Sequence, residues 1–332
     1  MNAEKTTYHL HLESQHGRPE HLAPTAEAWA AAAKRYPQLA AQVRVTCGTD
    51  GDIRDKALET ADFTIDSTPP RERLRERAPR LKWIQTTGAG LDPILPLDWL
   101  PPGMILTNNR GAHGHKAEDS ITLALLALHM RLPALMEQQR SGAWREILTA
   151  PIAGGTAVVI GFGDLGQAAG RAARKLGLHV IAVTRTGNAA PPADEAYAAE
   201  AIDTVLPRAD FLVIAAPLLP GTHQLINRAR LDRLRPSAAL VNIGRAAIVD
   251  YTALREKLER GELAGALLDV FEEEPLPPQS PWWTTPNVIV LPHVSCDTPG
   301  YIDRLFDFWF ENFGRFLRGE PLVNAVDPKV GY

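Results

Sequence analysis

Three groups of residues in this chain have types and spacing that could do chemistry. The first is Gly161-Phe162-Gly163-Asp164-Leu165-Gly166, which follows the apolar run Ala157-Val158-Val159-Ile160 and precedes a helical stretch at 167–176. A strand, a GxGxxG turn and a helix, in that order, suit a dinucleotide pyrophosphate. Gly161 permits the tight turn, Gly163 lets backbone amides near Asp164 and Leu165 approach phosphate, and Gly166 lets helix and strand pack closely. A glycine-rich turn without a ligand is the plainer alternative, and the flanking strand and helix argue against it. The second group is Thr184-Arg185-Thr186, at the end of the next apolar run. An acid is expected there in a fold that holds the ribose 2′-hydroxyl of NAD, and none is present. A guanidinium pairs bidentately with phosphate, so NADP(H) is the expected coenzyme and NAD(H) the secondary one. Arg185 could instead be a solvated charge, and Asp194 or Glu195 could fold back to the ribose. The third group is Arg245, Glu274 and His293, each placed just after a predicted strand. Ligands of open α/β sheets bind outside the carboxyl ends of the strands. Singly, spacing alone favours the plainer readings: Arg245 as a surface charge, Glu274 as one of three acids in a loop, and His293 as a hydrogen-bonded strand-end histidine.

The elements that must position these groups alternate along the chain. Strands are expected at 8–12, 43–47, 63–66, 81–86 and 104–107, with helices at 26–36, 53–60 and 70–78 between them. A second series of strands is expected at 157–160, 180–183, 211–215, 239–243, 266–269 and 288–291. Between the two series lies a helix from 116 to 131, stopped by Pro133. Strands separated by helices argue for parallel sheets covered on both faces. The segment 188–199 reads as a Pro/Ala-rich surface loop, 71–77 as a solvated face of mixed charge, and 301–317 as one amphipathic aromatic stretch.

Composition narrows the partners. With 332 residues, two domains are favoured over one. Lys and Arg number 35 against 39 Asp and Glu, a net charge of −4, which excludes a chain built to coat nucleic acid. Two cysteines, Cys47 and Cys296, cannot form a disulfide framework and fit a reducing compartment. The longest apolar run is too short for a bilayer and the polar start carries no signal peptide, so a cytoplasmic location without membrane contact is expected. His113, His115 and Glu118 make a weak metal reading, so no metal is expected. Cys296 is a weak candidate nucleophile, and of the Trp282-Trp283 pair one indole could line a substrate pocket.

Taken in order, these stretches resemble the D-isomer-specific 2-hydroxyacid dehydrogenase family, in its glyoxylate/hydroxypyruvate reductase-like form, over nearly the whole length. The resemblance is carried by Thr87-Gly88-Ala89-Gly90-Leu91-Asp92, Asn109-Arg110-Gly111, Ala117-Glu118, the glycine turn and Leu206-Pro207-Arg208-Ala209-Asp210. It continues through Pro217-Leu218 with Thr222, Asn242-Ile243-Gly244-Arg245, Leu268-Asp269-Val270-Phe271 with Glu274-Pro275, and Pro292-His293. It implies two Rossmann-like, doubly wound parallel-sheet domains. The substrate domain, flavodoxin-like and discontinuous, would be 1–112 with 300–332, and the NAD(P)-binding domain 113–299. It implies reversible reduction of a small 2-oxo acid to the D-2-hydroxy acid, with Arg245, Glu274 and His293 catalytic. Ala89, Gly90, Arg245 and Trp283 would bind substrate. Gly161, Gly163, Asp164, Leu165, Gly166, Thr184, Arg185, Thr186, Ala216, Pro217, Thr222, Ile243, Asp269, His293 and Ser295 would bind coenzyme. The segment 117–144 corresponds to a dimerisation region, so a homodimer is expected. Ala246 stands where the family usually has Gly, and Val294-Ser295-Cys296 replaces a small residue after the histidine; neither removes a catalytic group. A corepressor-like, dinucleotide-sensing protein on the same fold is the competing reading.

Overall fold

The computed structural model describes residues 7–112 and 114–331. The chain divides into two compact units, Met1–Ala112 with Thr298–Tyr332, and His113–Asp297.

The first unit holds five parallel strands, β1 (Tyr8–Ser14), β2 (Val43–Thr49), β3 (Phe63–Ile65), β4 (Trp83–Gln85) and β5 (Ile105–Thr107), in the order β2-β1-β3-β4-β5. That is the flavodoxin-like order. Alternation along β1 sends Leu10 and Leu12 to one face, where the helix Tyr301–Leu317 covers them with Leu305, Phe306, Trp309, Phe310 and Phe313. Trp309 stacks on Trp83 with ring centroids 5.6 Å apart and planes 9° from parallel. The C-terminal helix is therefore part of this unit's core.

The second unit has seven parallel strands: β6 (Thr156–Ile160), β7 (His179–Thr184), β8 (Glu195–Ala198), β9 (Phe211–Ile214), β10 (Ala239–Asn242), β11 (Gly265–Leu268) and β12 (Val288–Val290). Their order, β12-β11-β10-β9-β6-β7-β8, reverses between β6 and β9, as in a Rossmann sheet. Apolar side chains fill both faces, Val158 and Ile160 on one and Ala157 and Val159 on the other. Near-continuous apolar runs are what a parallel sheet covered on both sides requires.

Five local expectations need correction. The supposed loop 188–199 contains β8, an edge strand paired to β7 with Ile181 opposite Glu195 and Thr184 opposite Ala198. Every residue of β8 is only partly buried, so its sequence lacks the apolar signal of the inner strands. Pro133 does not stop a helix. The helix Gly114–His129 ends before Arg131, which turns left-handed at φ 57°, and Pro133 sits in the first turn of the next helix, Leu132–Ser141. A proline there forfeits no hydrogen bond, because first-turn amides have no partner within the helix. The expected helix 70–78 shrinks to Leu74–Arg77, entered through Arg73 at φ 51°, and the expected helix 26–36 ends at Ala33. Finally, the helix after the glycine turn starts at Asp164 and runs to Lys175, so the motif's last residues are its first turn.

Candidate active site

In the second unit the glycine turn is shaped by close backbone approach. At Gly161, φ is 83° and an added Cβ would lie 2.6 Å from Ala216 Cα; at Gly166 it would lie 2.0 Å from the Gly161 carbonyl oxygen. Gly163 differs, with nothing within 4 Å of such a Cβ. It caps the helix Asp164–Lys175 without any side-chain hydrogen bond. The amides of Asp164, Leu165 and Gly166 thus lie at a bare helix start beside open space, an arrangement that fits a pyrophosphate.

At the end of β7, Thr184 donates its hydroxyl to the Asn188 carbonyl at 3.0 Å, while Arg185 and Thr186 are exposed. The acids that could have folded back are committed elsewhere. Asp194 accepts from the Val180 amide at 2.8 Å and pairs with Arg174. Glu195 accepts from Arg208 at 2.5 Å, Tyr197 at 2.7 Å and His179 at 2.6 Å. The Arg208 guanidinium foremost holds the Glu195 carboxyl far below the usual glutamate range. Glu195 lies opposite Ile181, three residues before Thr184, or roughly 10 Å along the strand.

The remaining expected residues gather at the carboxyl ends of β9 to β12. Ala216 is buried against the glycine turn, and Thr222 closes the following loop on the Pro217 carbonyl at 2.7 Å. Ile243 is buried in the core, so only its backbone is available to a ligand. Asn242, which sequence reasoning gave no role, shapes the next turn: its Oδ1 accepts from the Gly244 amide, and its Nδ2 donates to the Arg245 carbonyl and the Tyr251 hydroxyl. Arg245 is half-buried and donates from Nη1 to the Gly244 carbonyl at 2.8 Å. Asp269, buried after β11, accepts from the Val294 amide at 2.8 Å, the Ser295 amide at 3.1 Å and the Ser295 hydroxyl. Burial raises its carboxyl above the usual range while those bonds oppose the shift. Asp269 and Ser295 therefore fix the segment that carries His293.

Glu274 accepts from the Phe271 amide through Oε1 at 2.8 Å and meets His293 Nδ1 through Oε2 at 2.7 Å. A carboxylate on Nδ1 assigns the proton there and turns Nε2 outward. The imidazole is 50% exposed, and Nε2 has no hydrogen-bond partner among the described residues. Trp283 is half exposed, with its indole donating to the Pro277 carbonyl at 2.8 Å, whereas Trp282 packs on Tyr251. Burial pushes the Cys296 thiol up to about 11, which argues against a nucleophile. Glu118 is paired with Lys175 and Arg171; His113 and the side chain of His115 lie outside the described residues. Among the described residues no cluster of His, Cys, Asp and Glu could hold a metal ion.

In the first unit, Ala89 and Gly90 lie in the loop after β4. The Gly88 carbonyl accepts from the Asn109 amide at 3.0 Å and the Ala89 carbonyl from Asn108 Nδ2 at 2.8 Å. With those oxygens engaged, the amides of Ala89 and Gly90 have no acceptor among the described residues.

The profile for the D-isomer specific 2-hydroxyacid dehydrogenase NAD binding domain matches residues 122–295. Glyoxylate/hydroxypyruvate reductase B of Pectobacterium carotovorum subsp. carotovorum is 34% identical over 283 residues, covering 82% of this chain and 88% of that protein. The chain belongs to the D-isomer specific 2-hydroxyacid dehydrogenase family. Among solved members, the Xanthobacter autotrophicus Py2 protein in complex with NADPH and MES superposes with a TM-score of 0.83 at 28% identity, over 98% of this chain and all of that one. The NADPH-dependent glyoxylate/hydroxypyruvate reductase of Sinorhizobium meliloti, in complex with NADP and sulfate, does so at 0.83 and 29% identity over the same shares. As a member of the 2-hydroxyacid dehydrogenases, this chain is an NAD(P)-dependent oxidoreductase, and the corepressor-like reading is not favoured. Among the described residues no single helix is long and apolar enough to cross a membrane.

Proposed function

We propose that this chain reduces a small 2-oxo acid of the glyoxylate or hydroxypyruvate type, reversibly, to the D-2-hydroxy acid, with NADPH as its preferred reductant. The observation that carries the reading is the 2.7 Å Glu274–His293 contact, which leaves Nε2 for a substrate oxygen. The first unit is the substrate domain and the second the coenzyme domain. Asp164, Leu165 and Gly166 hold the pyrophosphate through their amides. Residues around Ala216, Pro217, Thr222, Ile243 and Ser295 flank the dinucleotide. When bound, NADPH supplies the hydride that reduces carbon 2.

The amides of Ala89 and Gly90 take the substrate carboxylate. The planar fork of Arg245 suits a carboxylate and a keto oxygen. His293, as imidazolium, donates its Nε2 proton to the keto oxygen as negative charge develops there. Glu274 holds the ring in that orientation through its contact with Nδ1. Trp283 lines the substrate side.

Preference for NADPH is supported by the commitment of Asp194 and Glu195 to the far end of β7, so that neither of these two acids stands at Thr184, Arg185 and Thr186. Each charge-assisted bond to a 2′-phosphate is worth on the order of 1.5–3 kcal/mol, less at an exposed site. A preference of about 10–100-fold in kcat/KM is therefore expected. Initial rates with glyoxylate, monitored at ~340 nm with NADPH and NADH, test both proposals. Arg185→Ala is expected to abolish the preference while sparing NADH use; equal efficiency in the wild type, or no selective loss in the variant, rejects the coenzyme assignment. Two free thiols fit the cytoplasm, and a homodimer is supported by apolar side chains left exposed on the helices Gly114–His129 and Leu132–Ser141.

A further inference from the structure

In the first unit all strands are parallel, so the loops after β1, β3 and β4 emerge at one edge of the sheet. From the first of these loops Arg18 donates through Nε to the Leu22 carbonyl at 2.9 Å and through Nη2 to the Thr87 hydroxyl at 2.8 Å. Thr87 is buried and engaged at every polar atom. Its amide donates to Ser67 Oγ at 3.2 Å, its hydroxyl contacts that same oxygen, and its carbonyl accepts from the Tyr301 hydroxyl at 2.6 Å. The backbone that follows is Gly88-Ala89-Gly90.

A count of hydrogens shows the polarity of this edge. The hydroxyls of Ser67 and Thr87 own two hydrogens, and the contact between them uses one. Arg18 and the Thr87 amide only donate to this pair. One hydroxyl hydrogen therefore remains with no acceptor among the described residues, beside a guanidinium and close in sequence to the unaccepted amides of Ala89 and Gly90. Donors without acceptors, next to a fixed positive charge, complement an anion.

We infer that Arg18 is a positioning residue for the carboxylate cradle, acting through Thr87 to hold residues 88–90 so that their amides face the substrate, and lending the cradle its charge. The inference rests on the reading above that Ala89 and Gly90 bind the substrate carboxylate. Donors held in place before binding lose little on ordering, so the effect falls on affinity for small 2-oxo acids and not on hydride transfer.

The test is steady-state kinetics with glyoxylate and NADPH, with oxamate inhibition, for Arg18→Gln, Arg18→Lys, Thr87→Val and the double variant Arg18→Gln/Thr87→Val. Arg18→Gln and Thr87→Val are each expected to raise the KM for glyoxylate and the inhibition constant of oxamate about tenfold. Their kcat should stay within about twofold, with the KM for NADPH unchanged. Arg18→Lys restores most of the affinity, and the double variant is no worse than the poorer single one, since both remove one linkage. A brace with no role in anion binding would lower kcat and the thermal midpoint together, would not respond to lysine, and would overturn the inference. So would an unchanged KM in Arg18→Gln on an active wild-type background. A wild type that reduces no 2-oxo acid and binds no oxamate overturns the functional reading itself, and this inference with it.

Discussion

His293 adopts φ 55°, a left-handed backbone that costs a non-glycine residue free energy unless its surroundings impose it. Asp269 supplies that constraint by tying down the next two amides, and Glu274 fixes the ring by accepting at Nδ1. Removing the imidazole should therefore remove the acid and leave the coenzyme fold alone. His293→Ala is expected to lose about 10²–10⁴-fold or more in turnover while NADPH binding, followed by fluorescence, persists. Near-normal turnover would dismiss His293 as the acid. Glu274→Gln keeps a polar partner for the ring but removes the carboxylate that accepts at Nδ1. It is expected to lower reductive kcat/KM while NADPH binding persists, and an unchanged kcat/KM would remove Glu274 from the role of ring partner. These types were legible in the sequence because few side chains can do this chemistry. The backbone sign at 293 and the service of Asp269 to it were not, since both depend on residues 25 or more positions apart.

At the scale of elements, the three glycines of the turn are not equivalent. Gly166→Ala would drive a Cβ into the Gly161 carbonyl, and such overpacking against backbone costs about 1–3 kcal/mol or more. Gly163→Ala meets nothing in the protein. Thermal denaturation should show a lower midpoint for Gly166→Ala and an unchanged one for Gly163→Ala. Titration with NADPH should be weakened in Gly163→Ala, because the new methyl occupies the space a phosphate would use. Similar midpoints for the two variants would contradict the packing argument. The edge strand β8 is anchored by the Glu195 cluster, whose carboxyl titrates well below the ordinary value near 4.5. A depressed folded-state value means that the cluster's contribution is complete above the unfolded value, shrinks as pH falls below it and is lost only as pH falls through the folded-state value. Glu195→Gln should accordingly lower the melting temperature near pH ~7 and by a smaller amount near pH ~3, where the folded-state carboxyl is still ionised. A constant difference across that range would mean that the charge contributes nothing. The inner strands announced themselves as apolar runs. β8 did not, because an edge strand held by ion pairs needs no apolar alternation.

At the scale of the whole molecule, the exposed apolar side chains of the second unit are concentrated. Leu123, Leu126, Leu132 and Met136 lie on two consecutive helices, Met130 on the turn between them, and Trp144 and Leu148 on the segment after them are 94% and 89% exposed. These side chains are the basis of the proposed homodimer. Light scattering at micromolar concentration is expected to report twice the 36.3 kDa chain mass, and Leu123→Asp to shift the population towards one chain. A monomeric wild type would reject the dimer.

The sequence by itself determined the chemistry on offer and the alternation that makes two parallel sheets, because glycine turns, ionisable types and apolar runs are local properties. It also carried the lack of an acid after β7, from which the coenzyme preference is argued. Only the tertiary structure decided where the acids Asp194 and Glu195 are committed and which carboxylate oxygen meets His293. Only it showed that Arg18 and Tyr301, 69 and 214 positions from Thr87, meet at that residue. The reason is physical: such contacts arise where parallel strands bring distant loops to a common edge, and no short stretch of sequence contains both partners.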